Sequence, residues 1–149
     1  MTVGSHKAPC ASRGGISLIG KPKTPLLQFP DTRRVGNLVF VSGQVSTAPD
    51  GSIIGVGDIA LQTQTTFENL RRVLRAADCD MGDLVQLNTY LVFTGNADDF
   101  AGFWGAMNSV RRRYISEPGP TATALRVAGL ALPGLLIEVD GIAVIRGAL

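Results

Sequence analysis

The chain has little of the residues that most often carry catalysis or bind metals. Its 149 residues include one histidine, His6, and two cysteines, Cys10 and Cys79. Because His6 lies close to the N-terminus, no internal histidine is available for a Ser-His-Asp arrangement or a histidine-based metal site. Cys79 falls near a predicted helix end without a basic neighbour, which is typical of a packed thiol. The sequence therefore excludes histidine general-base catalysis and predicts neither a metal nor a cofactor.

Two cysteines also cannot form a disulfide framework, so a cytoplasmic location is expected. Charge is scarce as well: 17% of the residues are charged, and the formal net charge is +2. A chain with this balance has no broad basic surface with which to neutralise phosphates. No uninterrupted apolar run approaches the roughly 20 residues that cross a bilayer. We therefore expect neither nucleic acid nor a membrane as a partner.

Apolar residues, in contrast, are abundant. They make up 45% of the chain, and the mean hydropathy is +0.21. This content exceeds what a small monomer needs, and it suggests that neighbouring subunits cover some strand faces. Residues 1–22 show no periodicity and are interrupted by glycine and proline, so we predict a flexible N-terminal tail followed by a single domain at 23–149.

Hydrophobic periodicity predicts an α+β fold of order β-β-α-β-α-β-β, with two helices packed on one face of a mixed sheet. No third layer is encoded, so another copy of the protein is the expected cover for the second sheet face, with pockets at subunit junctions. The predicted strands lie at 36–45, 52–54, 84–93, 121–128 and 135–145, and the predicted helices at 59–77 and 96–114.

One acidic residue, Glu138, lies inside the most apolar predicted strand, LLIEVDGIAVI. A buried carboxylate is costly unless it is paired or neutralised, and desolvation raises its pKa toward values suited to proton transfer. Two interpretations stay open at this point. Glu138 is a functional acid, or it caps a loop or pairs with an arginine such as Arg126 across the sheet.

Several stretches together resemble the RidA (YjgF) family of small trimeric proteins. GNLVFVSGQV resembles the family's first-strand signature, here ending in Ser42, Gly43 and Gln44. The segment DMGDLVQLNTYLV, after the long predicted helix, resembles a second signature, and PTATALRVAGL followed by LLIEVDGIAV resembles the C-terminal one. The resemblance covers roughly residues 29–146.

The resemblance implies a chorismate-mutase-like fold and a homotrimer with three clefts between subunits. Members of the main type hydrolyse reactive enamines and imines such as 2-aminoacrylate to 2-oxo acids and ammonia, without metal or cofactor. In them an arginine on the Pro-led strand grips the substrate carboxylate, and a glutamate on the last strand has a supporting role. Glu138 matches that glutamate, and Ser42 and Gly43 match the cleft wall.

The sequence departs from the family pattern where the carboxylate should bind. The arginine position is Ala122, the position of a frequent cysteine is Ala124, and Phe29 stands where tyrosine is common. Loss of a bidentate guanidinium contact removes roughly 1.5–3 kcal/mol of binding free energy, which lowers the affinity for a small 2-imino acid about 10- to 100-fold. Arg126 shares a strand face with Ala122 but lies about 13 Å along. It is expected either to meet a longer substrate or to form an intersubunit ion pair.

These features predict a trimer whose cleft binds a small, relatively apolar or uncharged metabolite. The expected reaction is hydrolysis of an imine or enamine to a carbonyl compound and ammonia, with Glu138 positioning a water and Ser42, Gly43 and Thr123 supplying hydrogen bonds. Two alternatives remain: a non-catalytic ligand-binding or chaperone-like trimer, and an endoribonuclease, for which the Arg111–Arg113 cluster is the one available patch.

Overall fold

The computed structural model describes residues 16–19 and 29–146. In this part of the chain, no helix is both long enough and apolar enough to cross a membrane. The elements in chain order are β1 (Ile16–Ile19), β2 (Thr32–Val35), β3 (Leu38–Val45), α1 (Ile59–Ala76), β4 (Leu84–Val92), α2 (Phe100–Arg111), β5 (Thr121–Val127) and β6 (Ile137–Val144).

The strands form one mixed sheet in the order β1-β2-β3-β6-β4-β5. β4 and β5 run parallel, and all other neighbours are antiparallel. The last strand, β6, therefore lies between β3 and β4. Alternate residues of β6, among them Ile137, Val139 and Ala143, are fully buried on one face of the sheet, which accounts for much of its apolar sequence.

The long helix α1 begins where the sequence provides a capping side chain. The Asp58 carboxylate accepts a hydrogen bond from the Leu61 amide at 3.0 Å, which satisfies one of the free amides of the first turn. The helix ends at Ala76, and Asp78 then adopts a positive φ of 59°. One face of α1 packs on β3 and β6 through fully buried residues that include Phe67, Leu70 and Leu74.

The core lies between the two helices and one face of the sheet. Each fully buried aliphatic or aromatic side chain there contributes roughly 1.5–3 kcal/mol relative to exposure. The sheet residues that face the helices and are fully or almost fully buried include Val39, Val41, Leu87, Leu91, Ile137 and Val139. The predicted α+β architecture, with both helices on one face of a mixed sheet, is confirmed.

The second face of the sheet, which we call the open face, is apolar and uncovered in the single chain. Leu38, Phe40, Val85 and Leu125 are 38%, 42%, 45% and 51% exposed. Exposed apolar groups concentrated on one sheet face are typical of an interface between protein chains. The sequence-based expectation that other copies cover this face stays a prediction.

Two predicted boundaries differ from the structure. The predicted strand at 52–54 is only an isolated bridge between Thr47 and Ile53. The tight turn ahead of it is closed by the Asp50 carboxylate, and Gly55 and Gly57, with φ of 72° and 82°, then turn the chain toward α1 before a ladder can form. The second helix begins as a 3₁₀ turn at Ala97–Asp99 and becomes α-helical at Phe100.

The hairpin in the first half of the chain forms upstream of the predicted place. β2 and β3 are joined by a turn in which Gly36 has a φ of 62°. β1, at Ile16–Ile19, pairs antiparallel with β2 although it falls within the segment predicted to be a flexible tail. The rest of that segment, residues 1–15 and 20–22, lies outside the described residues.

A buried amide on α1 joins three separate parts of the backbone. Gln62 donates from Nε2 to the carbonyls of Gly55 at 3.1 Å and Gly134 at 2.8 Å, and its Oε1 accepts from the Leu136 amide at 2.8 Å. The side chain is fully buried. It therefore holds the loop before α1 and the loop before β6 against the helix.

Gln62→Leu should destabilise the fold, because three backbone groups in part-buried hydrogen bonds lose their partner, at up to about 1–3 kcal/mol each before relaxation. We expect the free energy of unfolding in urea to fall by at least about 2 kcal/mol. The matched control is Gln64→Leu, which changes an exposed glutamine of the same helix and should stay within about 0.5 kcal/mol of the parent. Equal unfolding midpoints for the two variants would contradict this role.

Candidate functional site

The site is built around a bulge in β3. Val41 pairs with Gly141 and Gln44 with Val139, so two residues of β3 stand opposite one residue of β6. The two bulge residues of β3 are Ser42 and Gly43. β-Bulges of this kind are frequent beside active sites. The Ser42 hydroxyl donates to the carbonyl of Pro30 at 2.7 Å, which fixes the bulge to the segment that follows the exposed Phe29.

Glu138 of β6 lies directly against this bulge. A Cβ atom added to Gly43 would lie 1.9 Å from Oε1 of Glu138 and 2.9 Å from its carboxyl carbon. Only glycine therefore leaves room for the carboxylate where it stands. The structure brings Glu138, Ser42 and Gly43 together, and their role as a site stays a prediction.

The carboxylate of Glu138 is half-buried, and no described residue is its basic partner. Burial raises its pKa above the ordinary value of 4.5, and the negative charge of Asp140, two residues along the same strand face, raises it further. Among the residues that the structure describes, none forms a hydrogen bond or ion pair with this carboxylate. A carboxyl group in this environment holds a proton more readily than an exposed one, which suits it to proton transfer.

Two polar residues of β4 lie on the same open face beside Glu138. Tyr90 is in register with Glu138 and Asn88 with Asp140, and the Asn88 amide donates to Asp140 at 2.8 Å. Hydrogen bonding to Asp140 raises the pKa of Tyr90. The alternation of β4 placed both residues on its polar side, but their place beside Glu138 depends on strand pairing, which the sequence alone does not give.

The residues of β5 divide between the two faces of the sheet. Ala122, Ala124 and Arg126 are in register with Leu87, Thr89 and Leu91, which are buried against the helices. Thr123 is in register with Asn88 and lies on the open face. Within one chain, Ala122 and Glu138 are therefore on opposite faces of the sheet. A single cleft that includes both positions needs a second chain.

Within one chain, Arg126 does not pair with Glu138. Its guanidinium lies 4.8 Å from the ring centre of Phe100 and 5.3 Å from that of Phe93, on the helix side of the sheet. Each such cation–π contact is worth about 0.5–1 kcal/mol at an exposed site. The aromatic cluster continues through Phe103 and Trp104 of α2.

Neither a reactive thiol nor a metal centre is found in the described part of the chain. Cys79 is 5% exposed, and burial, followed by the charge of Asp83, raises the pKa of its thiol, which makes it a packed residue rather than a nucleophile. Residues 16–19 and 29–146 contain no cluster of three or more His, Cys, Asp or Glu side chains able to hold a metal.

Comparison with known proteins agrees with this architecture. Residues 22–145 match a protein-family model described as Endoribonuclease L-PSP. The mitochondrial protein mmf2 of Schizosaccharomyces pombe is 37% identical over 110 residues, which cover 72% of this chain and 80% of that protein. A protein of Mus musculus named 2-iminobutanoate/2-iminopropanoate deaminase is 30% identical over 130 residues, which cover 85% of this chain and 90% of that one.

Solved structures give the same result for the fold. The crystal structure of RidA from the Antarctic bacterium Psychrobacter sp. PAMC 21119 superposes with a TM-score of 0.71 at 29% sequence identity. The superposition covers 87% of this chain and 99% of that one.

Gly43→Ala should displace the carboxylate of Glu138. We expect a loss of about 1–3 kcal/mol in the free energy of unfolding, and a clearly smaller loss when Glu138 is already alanine. A double-mutant cycle by urea unfolding measures the coupling, which should exceed about 0.5 kcal/mol. Gly102→Ala, where no atom lies within 4 Å of the added carbon, is the control and should not destabilise. Additive costs at positions 43 and 138 would refute the contact.

The raised pKa of Glu138 predicts a pH-dependent stability difference. Between the ordinary value of 4.5 and the raised pKa, the folded state holds a proton that the unfolded state has lost, so folding loses stability as pH rises through this window. Glu138→Gln removes that loss. The stability of the variant relative to the parent should therefore be more favourable at about pH 7.5 than at about pH 4, measured by urea unfolding. A difference that is the same at both pH values would argue against a raised pKa.

Proposed function

Because the chain belongs to the RidA (YjgF) family, we propose that it hydrolyses a reactive imine, or the tautomeric enamine, to a carbonyl compound and ammonia. The observation that carries the proposal is the half-buried carboxylate of Glu138, with its raised pKa, held against the Ser42-Gly43 bulge. The relative from Mus musculus, named as an imine deaminase, supports the reaction class in general.

In the proposed reaction, Glu138 moves one proton in each of two steps. In the first step, the carboxylate takes a proton from a water as the water oxygen bonds to the imine carbon, and it passes that proton to the nitrogen, which receives the C=N π electrons. In the second step, the carboxylate takes the proton of the new hydroxyl group and passes it to the same nitrogen. The C=O bond forms as the C–N bond breaks, and ammonia leaves. One water is consumed for each ammonia released, and no metal, cofactor or oxidant is needed.

Ser42, Gly43 and Thr123 supply hydrogen bonds around the reacting atoms in this proposal. The Ser42 hydroxyl already donates to Pro30, so its oxygen offers lone pairs to a water or an imine N–H. Thr123 lies on the open face, in register with Asn88, in the row of polar groups beside Glu138. Phe29 adds an apolar wall where the family commonly has a hydroxyl.

The substrate class follows from Ala122 and Ala124. A methyl group at position 122 cannot bind a carboxylate, so the proposed substrate is more apolar or uncharged than a small 2-imino acid. Arg126 is exposed and has no ion-pair partner among the described residues, and its guanidinium is oriented by two aromatic rings. We propose that it meets a longer substrate or a neighbouring subunit.

The proposed assembly is a homotrimer in which the clefts lie between subunits. Two observations support it: the apolar open face is uncovered in one chain, and Ala122 and Glu138 lie on opposite faces of the sheet. A cytoplasmic location stays a prediction, since the relative from Schizosaccharomyces pombe is named as mitochondrial.

Two alternatives to imine hydrolysis are each supported by a specific observation. A non-catalytic ligand-binding or chaperone-like trimer is favoured by the missing carboxylate clamp at Ala122, and it predicts that Glu138→Ala changes affinity with no chemical step to lose. An endoribonuclease is favoured by the description of the family model. RNA cleavage that survives the triple change Arg111→Ala, Arg112→Ala and Arg113→Ala would remove the one patch that supports it.

The reaction is tested by ammonia release from 2-aminoacrylate and from larger uncharged imines generated in the assay. Glu138→Gln should lower kcat at least about 100-fold without unfolding the protein. Ala122→Arg should raise kcat/KM for 2-aminoacrylate about 10- to 100-fold, because it restores the carboxylate contact. Ala101→Arg, at an exposed position of α2, is the matched control and should change nothing. Full activity of the parent on 2-aminoacrylate would refute the substrate class.

The assembly is tested by native mass spectrometry, in which the 15.7 kDa chain should appear at three times its mass. Leu125→Asp places a charge on the open face and should reduce the trimer at micromolar concentration. Leu132→Asp is the control, since Leu132 is 44% exposed but lies outside the sheet. A parent protein that runs as a monomer, or equal effects of the two changes, would count against this interface.

A further inference from the structure

The C-terminal end of α2 borders a polar cleft that the proposed reaction does not use. The cleft has a volume of about 500 Å³ and lies between the last turns of α2 and the loop at 115–119 that leads toward β5. Its polar lining consists of Asn108, Arg111, Arg112, Ser116 and Glu117. None of these residues belongs to the row of groups around Glu138.

Two guanidinium groups, those of Arg111 and Arg112, lie together in this cleft. Arg111 is half-buried, and burial, followed by the positive charge of Arg112, lowers its pKa. Within the described residues, neither arginine forms an ion pair with a carboxylate, although Glu117 lines the same cleft. The negative end of the α2 dipole amounts to about half a charge, which offsets only part of the two positive charges. An anion in the cleft would remove the remaining repulsion.

We propose that this cleft binds the phosphate group of a ligand. A phosphate monoester carries close to two negative charges at neutral pH, which match the two arginines, whereas a carboxylate carries one. Planar guanidinium groups bind phosphate oxygens through paired N–H donors. The Ser116 hydroxyl and the Asn108 amide add donors from the same wall. Glu117 is the one lining group that opposes an anion.

Phosphate of this kind comes from two sources, a small phosphorylated metabolite or the backbone of RNA. A phosphodiester has one negative charge, so the paired arginines favour a terminal monoester. The inference is independent of the imine reaction, because ammonia release does not involve Arg111 or Arg112.

The test is isothermal titration of the full chain with inorganic phosphate, ribose 5-phosphate and a uridine oligonucleotide at low salt. Replacing both Arg111 and Arg112 with Gln should weaken phosphate binding at least about 10-fold. Replacing both with Lys should weaken it less, because lysine keeps the positive charge but lacks the paired N–H donors of a guanidinium group. Glu117→Gln should tighten binding about threefold, because a repelling charge is removed. Arg75→Gln, at an exposed arginine in the last turn of α1, is the matched control and should bind like the parent.

The outcomes of the titrations distinguish the two sources of phosphate and also test the proposal itself. Tighter binding of ribose 5-phosphate than of the oligonucleotide, lost in the double glutamine variant, identifies a small phosphorylated ligand. The reverse order, lost in the same variant, identifies RNA. No binding by the parent at millimolar phosphate, or equal weakening by Arg75→Gln, would overturn the proposal. Thermal unfolding shows whether each variant is folded. If the double glutamine variant does not fold, the weaker phosphate binding expected of the double lysine variant tests the proposal instead.

Discussion

The contact between the Glu138 carboxylate and the backbone of Gly43 is the constraint on which the site depends. The carboxylate occupies the space that a side chain at position 43 would need, so its present position depends on glycine in the β3 bulge. Packing against the bulge removes water from one side of the carboxylate, and Asp140 on the same strand adds a like charge. Both effects favour the protonated form, which makes a structural carboxylate into a group able to carry a proton.

The division of the sheet into two unlike faces organises the remaining features. The helix side is filled by the core, whereas the open face carries the polar row beside Glu138 next to exposed residues such as Phe40 and Leu125. β5, at the sheet edge, contributes Thr123 to one face and Ala122 to the other. In the proposed trimer, a neighbouring chain would cover the apolar part and bring an alanine wall toward the acid. Apolar burial and substrate selection would then depend on the same contact between chains.

Local sequence predicted the parts of the structure that local forces determine. Periodicity located both helices and the strands around Glu138, and the apolar surroundings of that acid predicted its role as a candidate. What failed depends on long-range pairing. The β1–β2 ladder, the position of Tyr90 beside Glu138 and the stacking of Arg126 on Phe93 and Phe100 follow from register between distant segments, which no local pattern specifies. Glycines near residue 55 also ended the predicted second strand after a single bridge.

The central position of β6 also has a consequence for biosynthesis. The sheet cannot be joined until residues 137–144 have left the ribosome, because β6 supplies the pairing edge for both β3 and β4. Until then the β2–β3 hairpin and the long amphipathic helix carry unburied apolar surface, and such surface makes nascent chains prone to association. Late closure of this kind favours completion of the sheet in one step, after the preceding strands and both helices have been translated.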